Sequence, residues 1–152
     1  VVLLAAEGEP SSCRASGIAA ERPTIPAVLA PVAGQGLDGR RLFAFAGIGR
    51  PEKFFAMLRR LGVELVGARP FPDHHPFAAR DIAELRGAAE RRNAGLVTTA
   101  KDLVRVPAAA RDGIDVLEVE IRWPNPDALI RLFAPILDMS AGNGRDPDRR
   151  QR

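Results

Sequence analysis

Several residue types are scarce in this chain, and each scarcity excludes some classes of protein. The 152 residues include no tyrosine, one cysteine and two histidines. The single cysteine, Cys13, excludes an internal disulfide framework and indicates a reducing compartment. No basic run is interleaved with aromatic residues, so we expect no nucleic-acid partner. No apolar run approaches the roughly 18–20 residues of a membrane span, and the apolar start is too short for a signal peptide, so we expect a soluble chain.

What the chain does contain is ordinary for a globular domain with a modest basic excess. Hydrophobic residues make up 46% and charged residues 27%, and the net charge is +3. Only Lys53 and Lys101 are lysines, so nearly all of the positive charge is arginine. Such a charge suits an acidic partner or the anionic face of a membrane. Because the chain begins with valine, we expect it to be cut from a longer protein.

Strand and helix patterns alternate from about residue 41 onward. We predict strands at 42–46, 63–66, 96–99 and 116–121, and helices at 51–61, 79–92, 100–106 and 126–137. This alternation predicts an α/β fold with a mainly parallel, Rossmann-like sheet and flanking helices. Residues 1–4 are typical of a short buried strand. Residues 5–40 are rich in proline and glycine, which predicts a linker that contains short extended pieces such as 27–29. After residue 138 the composition predicts a disordered tail.

Polar turns follow three of the predicted strands, at 47–50, 73–76 and 98–102. Because the carboxyl ends of parallel strands meet at one edge of a sheet, we expect these turns to open on the same edge. Their convergence predicts a ligand site there.

The first turn is glycine-rich, with Gly47 and Gly49 before Arg50. It is not a Rossmann fingerprint, because Glu52 stands where the third glycine is required, and it does not match a P-loop. Two interpretations stay open. The glycines permit a tight strand-to-helix turn, or they admit a phosphate, to which Arg50 and the following helix N-terminus would add attraction.

The second turn contains Asp73, His74 and His75, and so both histidines of the chain. Histidine is the usual proton carrier near neutral pH, so one imidazole is a candidate proton acceptor. Asp73 would either orient that imidazole or close the loop as a hydrogen-bond acceptor. A loop of solvated histidines explains the pattern equally well. Adjacent residues in extended chain point apart, so we expect only one histidine to face the site. We predict no metal site, because a zinc shell would need carboxylates to complete it.

The third turn matches a helix capping box, with Thr99 and Asp102 satisfying free N–H groups of the first turn. Lys101 then lies where the helix dipole disfavours a cation, which hints at an anionic ligand.

Taken together, residues 45–55, 71–77 and 96–102 resemble the C-terminal half of the tetraacyldisaccharide 4'-kinase family. The resemblance covers about Val1 to Leu137, with the three motifs in order and at fitting distances. It implies a lipid A kinase of two α/β lobes at the cytoplasmic face of the inner membrane in Gram-negative bacteria. Residues 1–40 would be the last strand of the kinase lobe and its linker, 41–137 the C-terminal lobe, and 138–152 the tail.

The resemblance also implies partners and cofactors. In the family, the N-terminal lobe carries the P-loop, the magnesium ligands and a catalytic aspartate. ATP and Mg²⁺ would therefore serve the full-length enzyme, with none bound by this chain alone, which we predict to be inactive. The partners would be the P-loop lobe, the lipid A precursor and the membrane surface.

For individual residues, the resemblance makes His74, with Asp73, the partner of the missing aspartate in activating the sugar hydroxyl. Gly47, Gly49, Arg50 and Lys101 become candidates for substrate or phosphate contact. The chain departs from the family where Ala100 replaces a glutamate and Phe77 stands where tyrosine is common.

Two alternatives remain. The chain is also compatible with a stand-alone, non-catalytic α/β module that binds an anionic sugar or lipid phosphate through Arg50, His74 and Lys101. A degenerate pseudogene product is the other.

Overall fold

The computed structural model describes residues 2–6 and 25–141, with side chains from 25 to 134. Cys13, residues 7–24 of the expected linker and the expected tail from 142 onward lie outside the described residues. The strands are β1 (Val2–Ala6), β2 (Ile25–Pro31), β3 (Arg41–Ala46), β4 (Glu64–Pro70), β5 (Gly95–Thr99), β6 (Ile114–Leu117) and β7 (Val119–Arg122). The helices are α1 (Pro51–Arg60), α2 (Ala79–Glu90), α3 (Ala100–Leu103) and α4 (Pro126–Ala141), with a 3₁₀ turn at Ala108–Ala110.

Residues 31–120 form one compact unit around a four-stranded sheet in the order β4-β3-β5-β6. All three strand pairs are parallel. The prediction of an α/β fold with a mainly parallel sheet is therefore confirmed.

The central strand β3 is buried on both faces, and its alternating side chains separate two cores. One core joins the sheet to α1 and includes Leu42, Ala44, Ala46, Phe54, Phe55 and Leu58. The other joins it to α2 and includes Phe43, Phe45, Phe77, Ile82 and Leu85. Successive residues of a strand point to opposite faces, so the continuous apolar run of β3 serves both layers.

Strand β4 runs to Pro70, farther than the predicted 63–66. Gly67 and Pro70 are poor strand formers, so the sequence pattern did not predict the second half of this strand. The register with β3 shifts by one residue, so that Leu42 pairs with Leu65 but Phe43 pairs with Gly67. A Cβ on Gly67 would lie 2.5 Å from the Phe43 ring, so this position has no room for a side chain.

The single strand predicted at 116–121 is wrong, because β6 and β7 belong to different sheets. The break falls at Glu118, whose carbonyl accepts from the Val32 N–H at 3.1 Å and from Gln35 Nε2 at 2.7 Å. The Glu118 N–H donates to Gln35 Oε1 at 2.7 Å. Strand β5 ends at Thr99, opposite Leu117, and these contacts bind both backbone groups of the next residue, Glu118, to another segment.

The second unit contains residues up to 30 and from 121 onward. Its sheet has the order β1-β2-β7, with β1 parallel to β2 from Val2 opposite Ile25 to Ala6 opposite Leu29. Part of the expected linker is thus a seven-residue strand. Asn125 Oδ1 accepts from the Ala128 N–H at 3.1 Å and caps α4, which continues beyond Leu137 to Ala141. Within the described ranges, no helix has the length and apolar character needed to cross a membrane.

Candidate functional site

Backbone hydrogen bonds define the conformation of the loop after β4. The Phe71 N–H donates to the Ala46 carbonyl at 2.8 Å and prolongs the pairing of β4 with β3. The His75 N–H then donates to the Pro72 carbonyl at 3.1 Å, which closes a four-residue turn. His74, the third residue of this turn, has a φ of +60°, a left-handed conformation that is uncommon for residues other than glycine.

Gly47 is where the loop after β3 meets this turn. Its carbonyl accepts from the His74 N–H at 3.0 Å. A Cβ on Gly47 would lie 3.2 Å from the Pro72 oxygen and 3.2 Å from His75 Cβ. Gly47 has no positive φ, unlike Gly62, so glycine is needed here for close approach of two loops rather than for an unusual backbone angle.

The Asp73 carboxylate lies over this turn and beside the His74 ring. Asp73 Oδ1 accepts from the His74 N–H at 3.0 Å, and Asp73 Oδ2 is 3.8 Å from His74 Nε2. The second distance is too long for a hydrogen bond, so the carboxylate fixes the backbone of His74 and leaves the imidazole nitrogens available. The His74 side chain is 86% exposed.

The His75 ring, in contrast, packs against aromatic side chains. Its ring centroid lies 4.7 Å from that of Phe71 and 5.0 Å from that of Phe77. His75 Nε2 lies 3.1 Å from Asp81 Oδ2. The two histidines therefore differ in their surroundings: the His74 side chain is 86% exposed, whereas His75 is largely covered by its aromatic neighbours and Asp81.

Asp81 links this turn to the start of α2. Its Oδ2 accepts from the Ala78 N–H at 2.8 Å in addition to the contact with His75. The hydrogen bond from Ala78, followed by the one from His75, lowers the pKa of Asp81 below its ordinary value.

Thr99 caps α3, and its hydroxyl binds Asp102 twice. The Thr99 hydroxyl accepts from the Asp102 N–H at 3.1 Å and donates to Asp102 Oδ2 at 2.7 Å. In the usual capping box the carboxylate would accept from the backbone N–H of the capping residue instead. Asp102 is completely buried.

Arg105 is the residue that sequence analysis missed. Its Nη2 lies 3.0 Å from Asp102 Oδ1, and this contact is an ion pair. Asp102 Oδ1 accepts no hydrogen bond of good geometry from any described residue. Arg105 Nη1 donates to the Gly47 carbonyl at 3.1 Å. The sequence offered one indication of this contact: Arg105 stands three positions after Asp102, the last residue of the capping motif.

The remaining candidates lie on the same edge of the sheet but outside this network. Arg50 and Lys101 are exposed, and neither side chain has an ion pair with a described residue. Ala100 is exposed as well, so the family's glutamate would face solvent at this position. Phe77 is buried against Phe45, at a ring distance of 5.2 Å, and belongs to the core rather than to the wall of the site.

The glycine turn is closely packed and lies beside a carboxylate. A Cβ on Gly47 would meet His75, Pro72 and Asp102. A Cβ on Gly49 would lie 3.4 Å from Asp73 Oδ2, so the turn faces an anion that would repel a phosphate. No group of three or more metal-ligating side chains occurs in the part of the chain that the structure describes.

Residues 3–138 match the family model described as tetraacyldisaccharide-1-P 4'-kinase. A tetraacyldisaccharide 4'-kinase of Rhodospirillum centenum is 50% identical over 115 residues, which cover 76% of this chain and 34% of the relative. The enzyme of that name from Methylorubrum extorquens PA1 is 47% identical over 136 residues, which cover 88% of this chain and 41% of the relative. The chain thus spans between a third and about two fifths of the length of these relatives.

A solved structure is similar to the chain as well. It is the crystal structure of LpxK from Aquifex aeolicus in complex with ATP, with a TM-score of 0.52 and 21% sequence identity. The similarity covers 76% of this chain and 37% of that protein. At this level of identity, the comparison supports a shared fold.

Proposed function

Because the chain belongs to the tetraacyldisaccharide 4'-kinase family, we propose that it is the C-terminal, acceptor-side lobe of such an enzyme. The enzyme would transfer the γ-phosphate of ATP to the 4'-hydroxyl of a tetraacyldisaccharide 1-phosphate. The share of each relative that the chain covers, 34% and 41%, supports assignment to one lobe.

In this proposal, His74 accepts the proton of the sugar hydroxyl. The observation that carries it is the difference in exposure between the two histidines: His74 is 86% exposed, whereas the His75 side chain is 24% exposed and paired with Asp81. Three hydrogen bonds define the backbone of the turn, two of them donated by the His74 N–H to Gly47 and Asp73. A fixed backbone with a free imidazole is the arrangement that general-base catalysis requires.

Phosphoryl transfer depends mainly on positioning and electrostatic stabilisation. A positioned base contributes typically about 10²–10⁴-fold to the rate. An imidazole on this lobe that meets a nucleotide on the other lobe would couple lobe closure to reaction. Arg50 and Lys101, both exposed, would contact anionic groups of the substrate.

The nucleotide requires residues that this sequence does not contain. The 152 residues include no G-x-x-x-x-G-K-[ST] motif, and the glycine turn lies beside the Asp73 carboxylate, which would repel a phosphate. We therefore assign ATP and Mg²⁺ to a P-loop lobe and expect no phosphoryl transfer from these residues alone. The site of action would be the cytoplasmic face of the inner membrane, where the lipid substrate lies.

The test is His74→Asn in the full-length protein. Asparagine tolerates the left-handed backbone at this position but cannot accept a proton near pH 7. We expect kcat to fall by about 10²–10⁴-fold with the melting temperature unchanged. An unchanged kcat would remove His74 from the mechanism and would refute the proposed role.

The matched control is His75→Gln, which removes the other imidazole. Because His75 packs against Phe71 and Phe77 and pairs with Asp81, we expect a lower melting temperature. Assayed well below both melting temperatures, this variant should lose far less kcat than His74→Asn. The opposite order would assign the proton acceptor to His75.

A further inference from the structure

The Gly47 carbonyl accepts hydrogen bonds from two separate segments. The His74 N–H donates to it from the turn after β4, at 3.0 Å. Arg105 Nη1 donates to it from the segment after α3, at 3.1 Å. A carbonyl oxygen has two lone pairs, so both donors can bind at once, and the position of this oxygen determines where the His74 backbone lies.

Three contacts hold the Arg105 guanidinium beside that oxygen. Its Nη2 lies 3.0 Å from Oδ1 of Asp102, which is fully buried, and its Nε donates to the Lys101 carbonyl at 3.2 Å. All three nitrogens of the guanidinium are thus engaged, and the side chain is only 22% exposed. Asp102 is held in turn by the Thr99 hydroxyl.

His74 needs such support because of its backbone. A left-handed conformation at a residue other than glycine is strained and persists only when its surroundings enforce it. The φ of +60° sets the direction in which the imidazole leaves the chain. The hydrogen bond to Gly47 is the contact that ties this backbone to the rest of the sheet edge.

We propose that Arg105 is a positioning residue for His74. Its guanidinium, anchored on the buried Asp102 carboxylate, holds the Gly47 carbonyl where that oxygen accepts the His74 N–H, and so directs the imidazole toward the acceptor hydroxyl. This assignment rests on the proposed function, in which His74 accepts the proton. Arg105 itself touches neither substrate nor nucleotide in this scheme.

The test compares Arg105→Gln, Arg105→Lys and Arg111→Gln in the full-length protein. Arg111 is the matched control, because it donates to the Val104 and Val106 carbonyls of the same segment, at 2.9 Å each. We expect Arg105→Gln to lower kcat by about 10–100-fold, as a small displacement of a catalytic group does, with the KM for ATP unchanged. Arg111→Gln should stay within about twofold of the parent enzyme, since its surroundings do not include Gly47.

Arg105→Lys distinguishes a loss of positioning from a loss of folding. Lysine keeps a positive charge opposite Asp102, but its single ammonium does not reproduce the forked contact with Asp102 and Gly47. We therefore expect a melting temperature near that of the parent enzyme and a kcat between those of the parent and Arg105→Gln. A kcat equal to that of the parent enzyme would overturn the proposal.

A double-variant cycle shows whether Arg105 acts through His74. In a His74→Asn background, Arg105→Gln should produce no further loss of kcat, because the group that it positions is gone. If Arg105→Gln lowers kcat by the same factor in both backgrounds, Arg105 acts independently and the proposal is wrong.

Hydrogen exchange of the His74 backbone amide, measured by NMR, separates this proposal from the proposed function. We expect exchange to accelerate by about tenfold or more in Arg105→Gln and to be unchanged in Arg111→Gln. If His74→Asn leaves kcat unchanged, the proposed function fails, and faster exchange still supports the role of Arg105 in holding the turn. Unchanged exchange in Arg105→Gln overturns that role regardless of the kinetics.

Discussion

Replacement of Gly47 by alanine tests the packing on which the site depends. The new methyl group would lie 3.2 Å from the Pro72 oxygen, 3.2 Å from His75 Cβ and 3.3 Å from Asp102 Oδ1. Two of these neighbours are a backbone carbonyl and a side-chain stem, which cannot move without displacing the turn. Overpacking of this kind costs about 1–3 kcal/mol. Alanine also lowers the entropy of the unfolded chain, which offsets roughly 0.4–1 kcal/mol.

We therefore expect Gly47→Ala to lower the free energy of unfolding by about 1–2 kcal/mol. Urea titration followed by far-UV circular dichroism measures this as a midpoint that falls by roughly 0.5–1 M. Because the methyl group pushes on the turn that carries His74, kcat should fall in the same variant.

Gly49→Ala is the control for the loss of a glycine from the same turn. Its Cβ would lie 3.4 Å from Asp73 Oδ2, an ordinary contact, and Gly49 has no positive φ. We expect its free energy of unfolding to stay within about 0.5 kcal/mol of the parent protein. Equal midpoints for Gly47→Ala and the parent protein would refute the close-packing argument.

Three further changes test contacts around the site. The pKa of Asp81 is lowered in the folded protein from its ordinary value of 3.8. The ionised carboxylate therefore stabilises the fold at pH values above 3.8, and this stabilisation is lost as the pH falls through the lowered pKa. Asp81→Asn should therefore be destabilised at pH 7, and its urea midpoint should approach that of the parent protein as the pH falls well below 3.8. Thr99→Ala should cost about 1 kcal/mol and Thr99→Ser much less, because serine keeps the capping hydroxyl. Gly67→Ala should lower the melting temperature, since its methyl group would meet the buried Phe43 ring at 2.5 Å.

The parts of the fold that depend on local pattern were predictable. Strand β3 is a continuous apolar run, and α1 follows it with a proline in its first turn and apolar residues at helical spacing. These features depend on neighbouring residues alone. The convergence of the turns after β3, β4 and β5 also followed, because parallel strands leave little choice of edge.

The parts that depend on distant residues were not predictable. Strands β6 and β7 are separate because β5 ends at Thr99, opposite Leu117, and because Gln35, 83 positions away, binds both backbone groups of Glu118. No pattern within 116–121 indicates this. The second half of β4 was missed for a related reason: Gly67 lies in a strand because the Phe43 ring of β3 fills its side-chain space.

The site shows the same division between local and distant effects. Alternation in an extended chain predicted that only one of the two adjacent histidines would face the site, but in the structure they lie in a turn, with His74 in a left-handed conformation. Which one faces the solvent is determined by Asp81, six residues beyond His75, and by the aromatic rings around it. Arg105 is more distant still, 58 positions from the Gly47 carbonyl that it binds. Local sequence therefore locates the proposed proton acceptor, whereas distant residues determine its direction. If His74 has that role, substitutions at those distant residues should change kcat without any contact with substrate.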